Sequence, residues 1–566
     1  MALSSTEPGA TKKVELTLKP ENGETGDCIE GEIVQGEELQ RHLTSRQIQL
    51  IAIGGSIGTA LFVSIGYALM RGPASLLLAF IFQACIMALV NNAMAEMAIF
   101  MPLSAAFIQH GSAWVDSAWG FMAGWNFFIY EGLLIPFEIT AVDMVLTFWR
   151  DDIPSAAVIT ACIVLYAITN ILAVEYFGEA EFWLAGGKLL LIIILFLFTF
   201  ITMVGGNPQH DAYGFRHWSM PGPFVEYLAK GDLGRFEGFL SALWQAAFTI
   251  VGPEYLASVA GEAQWPRKTM KSAFKSVYWR FGVFFIGGAL CVGIVLPAND
   301  PTLLRVLGSG NTGTGAASPF VMAMNNMHIE ALPHLINALL LSSIYSAGNS
   351  YVYMTSRSLY SLAQNGHAPR FLRKCTKNGV PIYCLAVAVA FACLSYLKLG
   401  SGSVQVLTWL TNLITGGELV TYITMCVNYL FFHRALKAQG IDRAELPYRG
   451  FFQPYGTWLA LVWLTAIEIF YGYAVFLRGN WDVGSFFSSY TMAFLAICTF
   501  CGWKVVKRTR FVPPEEADMI WARPAIDRHE ALMAEKARQK KESGNGWMHM
   551  LRMNRKQDRS IGRSDV

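Results

Sequence analysis

Several ionisable side chains stand inside stretches that are otherwise apolar, among them Glu96, Glu131, Glu138, Lys188, Glu254 and Glu418. A charge at the centre of a membrane helix costs at least about 2.5 kcal/mol, so each is expected to face a cavity, a partner or an exchangeable proton. Glu131 and Glu138 are seven residues apart and fall nearly on one helix face, two turns from each other. Two carboxylates on one cavity wall would attract a cationic group. An ion pair at 4 Å is worth roughly 4 kcal/mol, before desolvation, at an effective dielectric near 20. Glu96 and Glu418 read equally well as members of structural ion pairs. Lys188, Glu138 and Glu254 stand in or opposite two interrupted segments, which favours a functional role.

The first interruption is Gly54-Gly55-Ser56-Ile57-Gly58-Thr59, where three glycines fall in five positions. Each costs a helix about 1 kcal/mol relative to alanine. The second is Ile250-Val251-Gly252-Pro253-Glu254, where Pro253 removes a backbone hydrogen bond and Gly252 relieves the steric limits ahead of it. Unwound backbone survives at membrane depth only inside protein or beside a cavity. Half-helix amino termini at such breaks suit anions, and the freed carbonyls suit cations. Close helix packing of the small-xxx-small type is the competing reading for the glycines. A nucleotide-binding loop fits less well, since no strand precedes the glycines and no lysine follows Gly58.

These residues need long apolar elements to carry them, and the chain supplies them. Of its 566 residues 54% are hydrophobic, 13% aromatic and 15% charged, against about 25% charged in soluble domains. Apolar runs between polar breaks predict an all-α polytopic membrane protein with twelve transmembrane helices, near 47–67, 74–100, 118–148, 155–174, 182–204, 236–260, 279–297, 332–363, 382–399, 403–432, 455–477 and 484–505. Interruptions in the first and sixth of these correspond to a five-plus-five inverted repeat with broken helices 1 and 6.

Lys and Arg placement orients the chain. Arg267, Lys268, Lys271, Lys275 and Arg280 fall in one loop on the inner side, with the smaller set that includes Arg71 and Lys398 outside. Both termini are then cytosolic. Residues 1–46 read as a disordered acidic tail, 47–505 as the twelve-helix transporter domain, and 506–566 as a basic cytosolic tail. That last tail is either solvated or weakly anchored to anionic lipid with help from Trp521, Trp547 and Met548. No cleavable signal peptide is visible. The ten cysteines are scattered, and the lone Cys498-x-x-Cys501 lacks a second pair, so neither a metal nor a cofactor is expected. The chain shows no H-E-x-x-H or G-x-S-x-G motif, which argues against an enzyme. The net charge of +2 gives no reason to expect a nucleic-acid partner.

Several phrases, taken in order, resemble those of the fungal (yeast-type) amino-acid transporters of the amino acid–polyamine–organocation superfamily. They are Arg41-His42-Leu43 ahead of residues 51–59, Ala95-Glu96-Met97 with Pro102-Leu103-Ser104, Gly124-Trp125-Asn126 with Pro136-Phe137-Glu138, Ala260-Gly261-Glu262 with Pro266-Arg267-Lys268, Gly348-Asn349-Ser350, residues 434–440, and Leu446-Pro447-Tyr448. The resemblance covers roughly residues 40–510. Phe127-Phe128-Ile129-Tyr130-Glu131 looks most like the branch of the yeast permease associated with carnitine and polyamine uptake and with regulation of other permeases. Typical family members carry an aromatic residue where Glu131 stands, and commonly Phe-Ser-Gly-Thr-Glu where this chain has residues 249–254.

The resemblance implies a plasma-membrane permease importing amino acids or related amines by proton symport. Backbone amides around Gly54, Gly55, Ser56, Ile57, Gly58 and Thr59 would receive a substrate carboxylate. Carbonyls around Ile250 and Gly252 would receive its ammonium, and Phe248 would gate the site. Lys188 matches the position of a family lysine whose charge replaces a sodium ion, so its protonation would couple proton entry to uptake. Glu131, Glu138 and Glu254 complete the expected site. The partners are then a small amine or amino acid, protons and membrane lipid. A nutrient sensor on the same fold remains an open alternative.

Overall fold

In this computed structural model residues 44–539 are described, except 151, 173, 309–317, 377–379, 402 and 537. Residues Leu39–Val566 form one contact unit, and every helix below belongs to it. The expected acidic tail lies outside the described residues apart from its last three.

The described residues are helical, with no extended strand among them. The first helix, Ser45–Ser56, opens on a capping box in which the Thr44 side chain and Gln47 satisfy each other's backbone N–H groups. Among the described residues five helices are long and apolar enough to cross a membrane: Pro73–Phe100, Trp183–Met203, Pro266–Val295, Ile382–Gly400 and Val483–Lys507. Shorter apolar helices are Ala60–Leu69, Ser155–Ile171 and Tyr455–Phe470.

Three long helices that carry buried polar side chains pack on one another. Ser117–Leu146 packs most extensively against Leu332–Gln364 and Ser403–Ala438. Their buried Asn, Ser, Thr and Glu side chains meet protein rather than lipid, which is why hydropathy alone undervalues them. Val174–Met203 shows the opposite arrangement. Ile193, Leu197, Phe200 and Ile201 form an exposed stripe, while Lys188, Leu191, Leu195, Phe198 and Thr202 face inward. Apolar residues cover both faces because one meets lipid and the other meets protein.

Two segments differ from expectation. Pro266–Trp279 is helical and runs through Arg280–Ile286 into Gly287–Val295, where a loop had been expected before residue 279. Met270, Ala273, Phe274 and Val277 are buried on one side of it, with Lys268, Lys271 and Lys275 exposed on the other. Amphipathic character hid the helix from an apolar-run reading. Arg280 is 4% exposed inside it and not a loop residue.

The second difference lies after the last long helix. Val512 N–H donates to Val115 O at 2.9 Å, Trp114 Nε1 to Asp518 O at 2.9 Å, and Gln439 Nε2 to Ala517 O at 2.7 Å. Arg267 Nη1 meets Asp527 at 2.6 Å and Glu530 at 3.1 Å. Trp521 packs edge-on to Trp114 at 6.0 Å rather than standing free for lipid. Trp547 and Met548 lie outside the described residues.

Candidate functional site

The first interruption is present. Ser45–Ser56 ends as Ile57 turns extended (φ −118°, ψ 101°), and the chain becomes helical again at Thr59. Side chains from distant helices hold its freed polar groups. Tyr351 Oη donates to Gly55 O at 2.9 Å. Glu138 accepts from Thr59 N–H at 3.4 Å and from Thr59 Oγ1 at 2.5 Å. The approach at Gly58 is close, since a Cβ there would lie 2.7 Å from Glu138 Oε1 and 3.2 Å from Ala347 Cβ. Gly55 likewise faces the Tyr255 ring, 3.0 Å from where a Cβ would stand. Ile57 is fully buried. Gly54 and Ser56 belong to the helix backbone, and their burial lies outside the described residues.

Lys188, 1% exposed on Val174–Met203, interacts electrostatically with Glu138. Its helix packs against Ser45–Ser56. One ammonium, one carboxylate and the restart of the first helix therefore form a connected set.

At the second interruption Gly231–Thr249 ends, Ile250 is extended, and Gly252 takes φ +155° before Pro253 opens the next helix. Glu254 Oε1 accepts from Gly252 N–H at 2.9 Å, so the carboxylate caps its own break. Among the described residues its Oε2, both oxygens of Glu131 and Oε2 of Glu418 are buried without a well-formed hydrogen bond, with the Tyr422 hydroxyl near Glu254 and the Tyr130 hydroxyl near Glu131. These three carboxylates interact electrostatically with one another, and Arg280 acts on Glu254 as a counter-charge. Among the described residues Glu131 forms no salt bridge. Glu96, by contrast, takes both Arg443 Nε at 2.9 Å and Nη2 at 2.8 Å, with Gly450 N–H at 2.8 Å. That is the structural ion pair its sequence allowed.

A cavity of about 350 Å³ leads to this region, lined by Thr59, Phe137, Trp244, Gln245, Asn412 and Tyr471 among others. Of the expected site residues only Thr59 lines it, so the expected wall of two carboxylates is not on the cavity surface here. Glu138 lies directly behind Thr59. The Phe137 ring, on the cavity wall, meets buried Phe248 edge to face at 5.3 Å and 82°. At the opposite ends of the same helices the packing is closer. A space of about 60 Å³ remains between Phe127, Ser258, Glu262 and Tyr353. There Ala105 N–H bonds Ser258 O at 3.0 Å and Tyr353 Oη bonds Glu262 at 3.3 Å. The two breaks thus stand between an open side and a closed side.

Sequence reasoning missed Tyr351, Phe137, Arg280 and the aromatic lining of the cavity. Arg280 alone left a signal, as a lone cation at the edge of an apolar run. The others are ordinary core residue types whose role depends on which helix they meet.

The amino acid permease family model matches residues 47–513. Over 502 residues the chain is 44% identical to a general amino acid permease of Saccharomyces cerevisiae, covering 87% of this chain and 84% of that one. It is 36% identical to a proline-specific permease of Emericella nidulans, over 88% and 91% of the two chains. With a lysine/arginine permease of Candida albicans the identity is 34%, over 84% and 82%. The matched span contains both interruptions together with Glu96, Glu131, Glu138, Lys188, Glu254 and Glu418, and the chain belongs to the amino acid permease family, integral membrane transport proteins rather than enzymes.

Proposed function

We propose that this chain imports amino acids or related cationic amines by proton symport, with substrate held between the two helix interruptions. The observation that carries this reading is the Lys188–Glu138–Thr59 set, which ties a buried ammonium to the restart of the first helix. A proton gained or lost on Lys188 changes its hold on Glu138, and Glu138 in turn competes with a substrate carboxylate for the amides near Gly58 and Thr59. Carbonyls of residues 250–252 take the substrate ammonium, and Phe248 with Phe137 separates that site from the cavity.

The finer architecture belongs to the same proposal: a 47–505 transporter domain of twelve spans, a five-plus-five inverted repeat broken in helices 1 and 6, both tails cytosolic, and residence in the plasma membrane. The buried carboxylate of Glu131, which forms no salt bridge among the described residues, supports a preference for substrates with a cationic group beyond the α-ammonium, the range of the carnitine and polyamine branch. A second reading, a nutrient sensor on this fold, draws on the segment after Arg510, which packs against three separate parts of one face.

Flux in proteoliposomes tests the proposal. An imposed inward proton gradient should drive accumulation of a cationic amino acid, with cationic competitors outperforming neutral ones. Lys188→Met should abolish gradient-driven accumulation while the protein remains folded. Binding without flux in the wild type would favour the sensor, and normal concentration of substrate by Lys188→Met would remove the lysine from the coupling step.

A further inference from the structure

The open cavity has a cation at its far end. Arg71 follows the helix that restarts at Thr59, roughly 18 Å away at 1.5 Å per residue, and it lines the same cavity. Its turn is fixed by backbone bonds to the 223–227 segment: Val225 N–H to Arg71 O at 3.0 Å and Ala74 N–H to Pro223 O at 3.0 Å. The side chain is positioned as well. Nε donates to Ser241 Oγ at 3.2 Å, and the guanidinium lies 3.5 Å from the centre of the Tyr227 ring.

Among the described residues the guanidinium makes no ion pair, and its electrostatic neighbours are Tyr227 and Tyr473. Among the described residues none lining the cavity is Asp or Glu. Glu237, one turn before Ser241, is turned instead to Ala229 N–H at 2.8 Å. Among the described residues Nε is the guanidinium nitrogen that is hydrogen-bonded, which leaves the Nη1 and Nη2 fork, beside the Tyr227 and Tyr473 rings, to fit a carboxylate in bidentate fashion. The buried carboxylates Glu131, Glu254 and Glu418 lie beyond the other end, past Thr59 and Phe137. The path therefore offers a cation first and anions later. A zwitterion meets attraction at both stations, whereas a polyamine meets repulsion at the first.

We propose that Arg71 is a carboxylate-capture site at the entrance of the cavity, selecting ligands that carry both a carboxylate and a cationic amine over amines alone. At that distance it does not touch a small ligand seated at the interruptions, so it forms an outer station with a carboxylate affinity of its own. The idea rests on the permease reading for the direction of travel, but carboxylate binding at Arg71 is testable without transport.

The test uses a matched pair, L-lysine and 1,5-diaminopentane, which differ only in the carboxylate, with binding measured on the purified full chain. Wild type should bind lysine more tightly than the diamine. Arg71→Gln should weaken lysine about tenfold, as expected for loss of roughly 1.4 kcal/mol, and leave the diamine unchanged or tighter. Arg71→Lys should fall between them, and because it keeps the charge it serves if Arg71→Gln does not fold. Equal changes for both ligands would make Arg71 a structural residue and overturn the proposal, as would a wild type that binds neither. Arg71-dependent lysine binding without vesicle uptake would uphold the capture site and remove the transport reading. Intact uptake indifferent to Arg71 would do the reverse.

Discussion

The two interruptions solve the same problem in different ways. At residues 250–254 the solution is local: Gly252 adopts φ +155°, Pro253 has no N–H to satisfy, and Glu254 caps Gly252 two residues away. At residues 55–59 it is borrowed, since Tyr351 and Glu138 come from helices far along the chain. A locally capped break keeps its shape when its neighbours move. A break held by partners changes when those partners let go, so of the two the first is the one open to rearrangement.

The largest effect that would sharpen this contrast is steric. Gly58→Leu, and likewise Gly55→Leu, should abolish substrate binding, because Glu138 and the Tyr255 ring already occupy the space a side chain needs. Folded, monodisperse protein with no binding is the expected result on a binding and detergent-stability assay. Misfolding with no selective binding loss would return both glycines to plain helix packing.

A smaller loss is expected at the local break. A Cβ on Gly252 has open space, its nearest neighbour being Val277 Cγ1 at 3.8 Å, so Gly252→Ala tests backbone conformation alone. Strain of about 1–3 kcal/mol should appear as a lower melting temperature. An unchanged melting temperature would show that the break does not depend on this residue's φ.

The smallest is Tyr351→Phe, which removes one hydroxyl from Gly55 O and should cost about 1 kcal/mol. If the first break depends on its partners, substrate affinity should change more than stability does. A stability loss with unchanged affinity would place Tyr351 in the scaffold only.

The same contrast explains what could be read from the sequence. Gly54–Thr59 and Gly252-Pro253 announce themselves because glycine and proline act on their own backbone. Ser155, Leu332 and Ser403 begin helices where the apolar runs predict them. Glu131 and Glu138 were visible as misplaced charges, but their surroundings were not. One meets Thr59 and Lys188, the other Glu254 and Glu418, because they stand on either side of Pro136 in a long helix flanked by different partners. Phe137 and Tyr351 carry no local mark at all. Pro266–Trp279 was lost because an amphipathic helix resembles a basic loop when only apolar runs are counted.

The seating of residues 512–530 redraws where the molecule ends. The last long helix closes at Lys507, yet Ala517, Met519 and Ile526 are 4%, 2% and 0% exposed, as buried as residues within the helical body. Truncation at 510 would strip an apolar seam from the surface and leave Trp114 Nε1, Gln439 and Arg267 without the acceptors they now hold. Truncation after 539 removes none of those contacts. For anyone trimming or tagging the protein, the border therefore belongs beyond Glu530, about twenty residues past the last long helix, a distance set by packing and not by hydropathy.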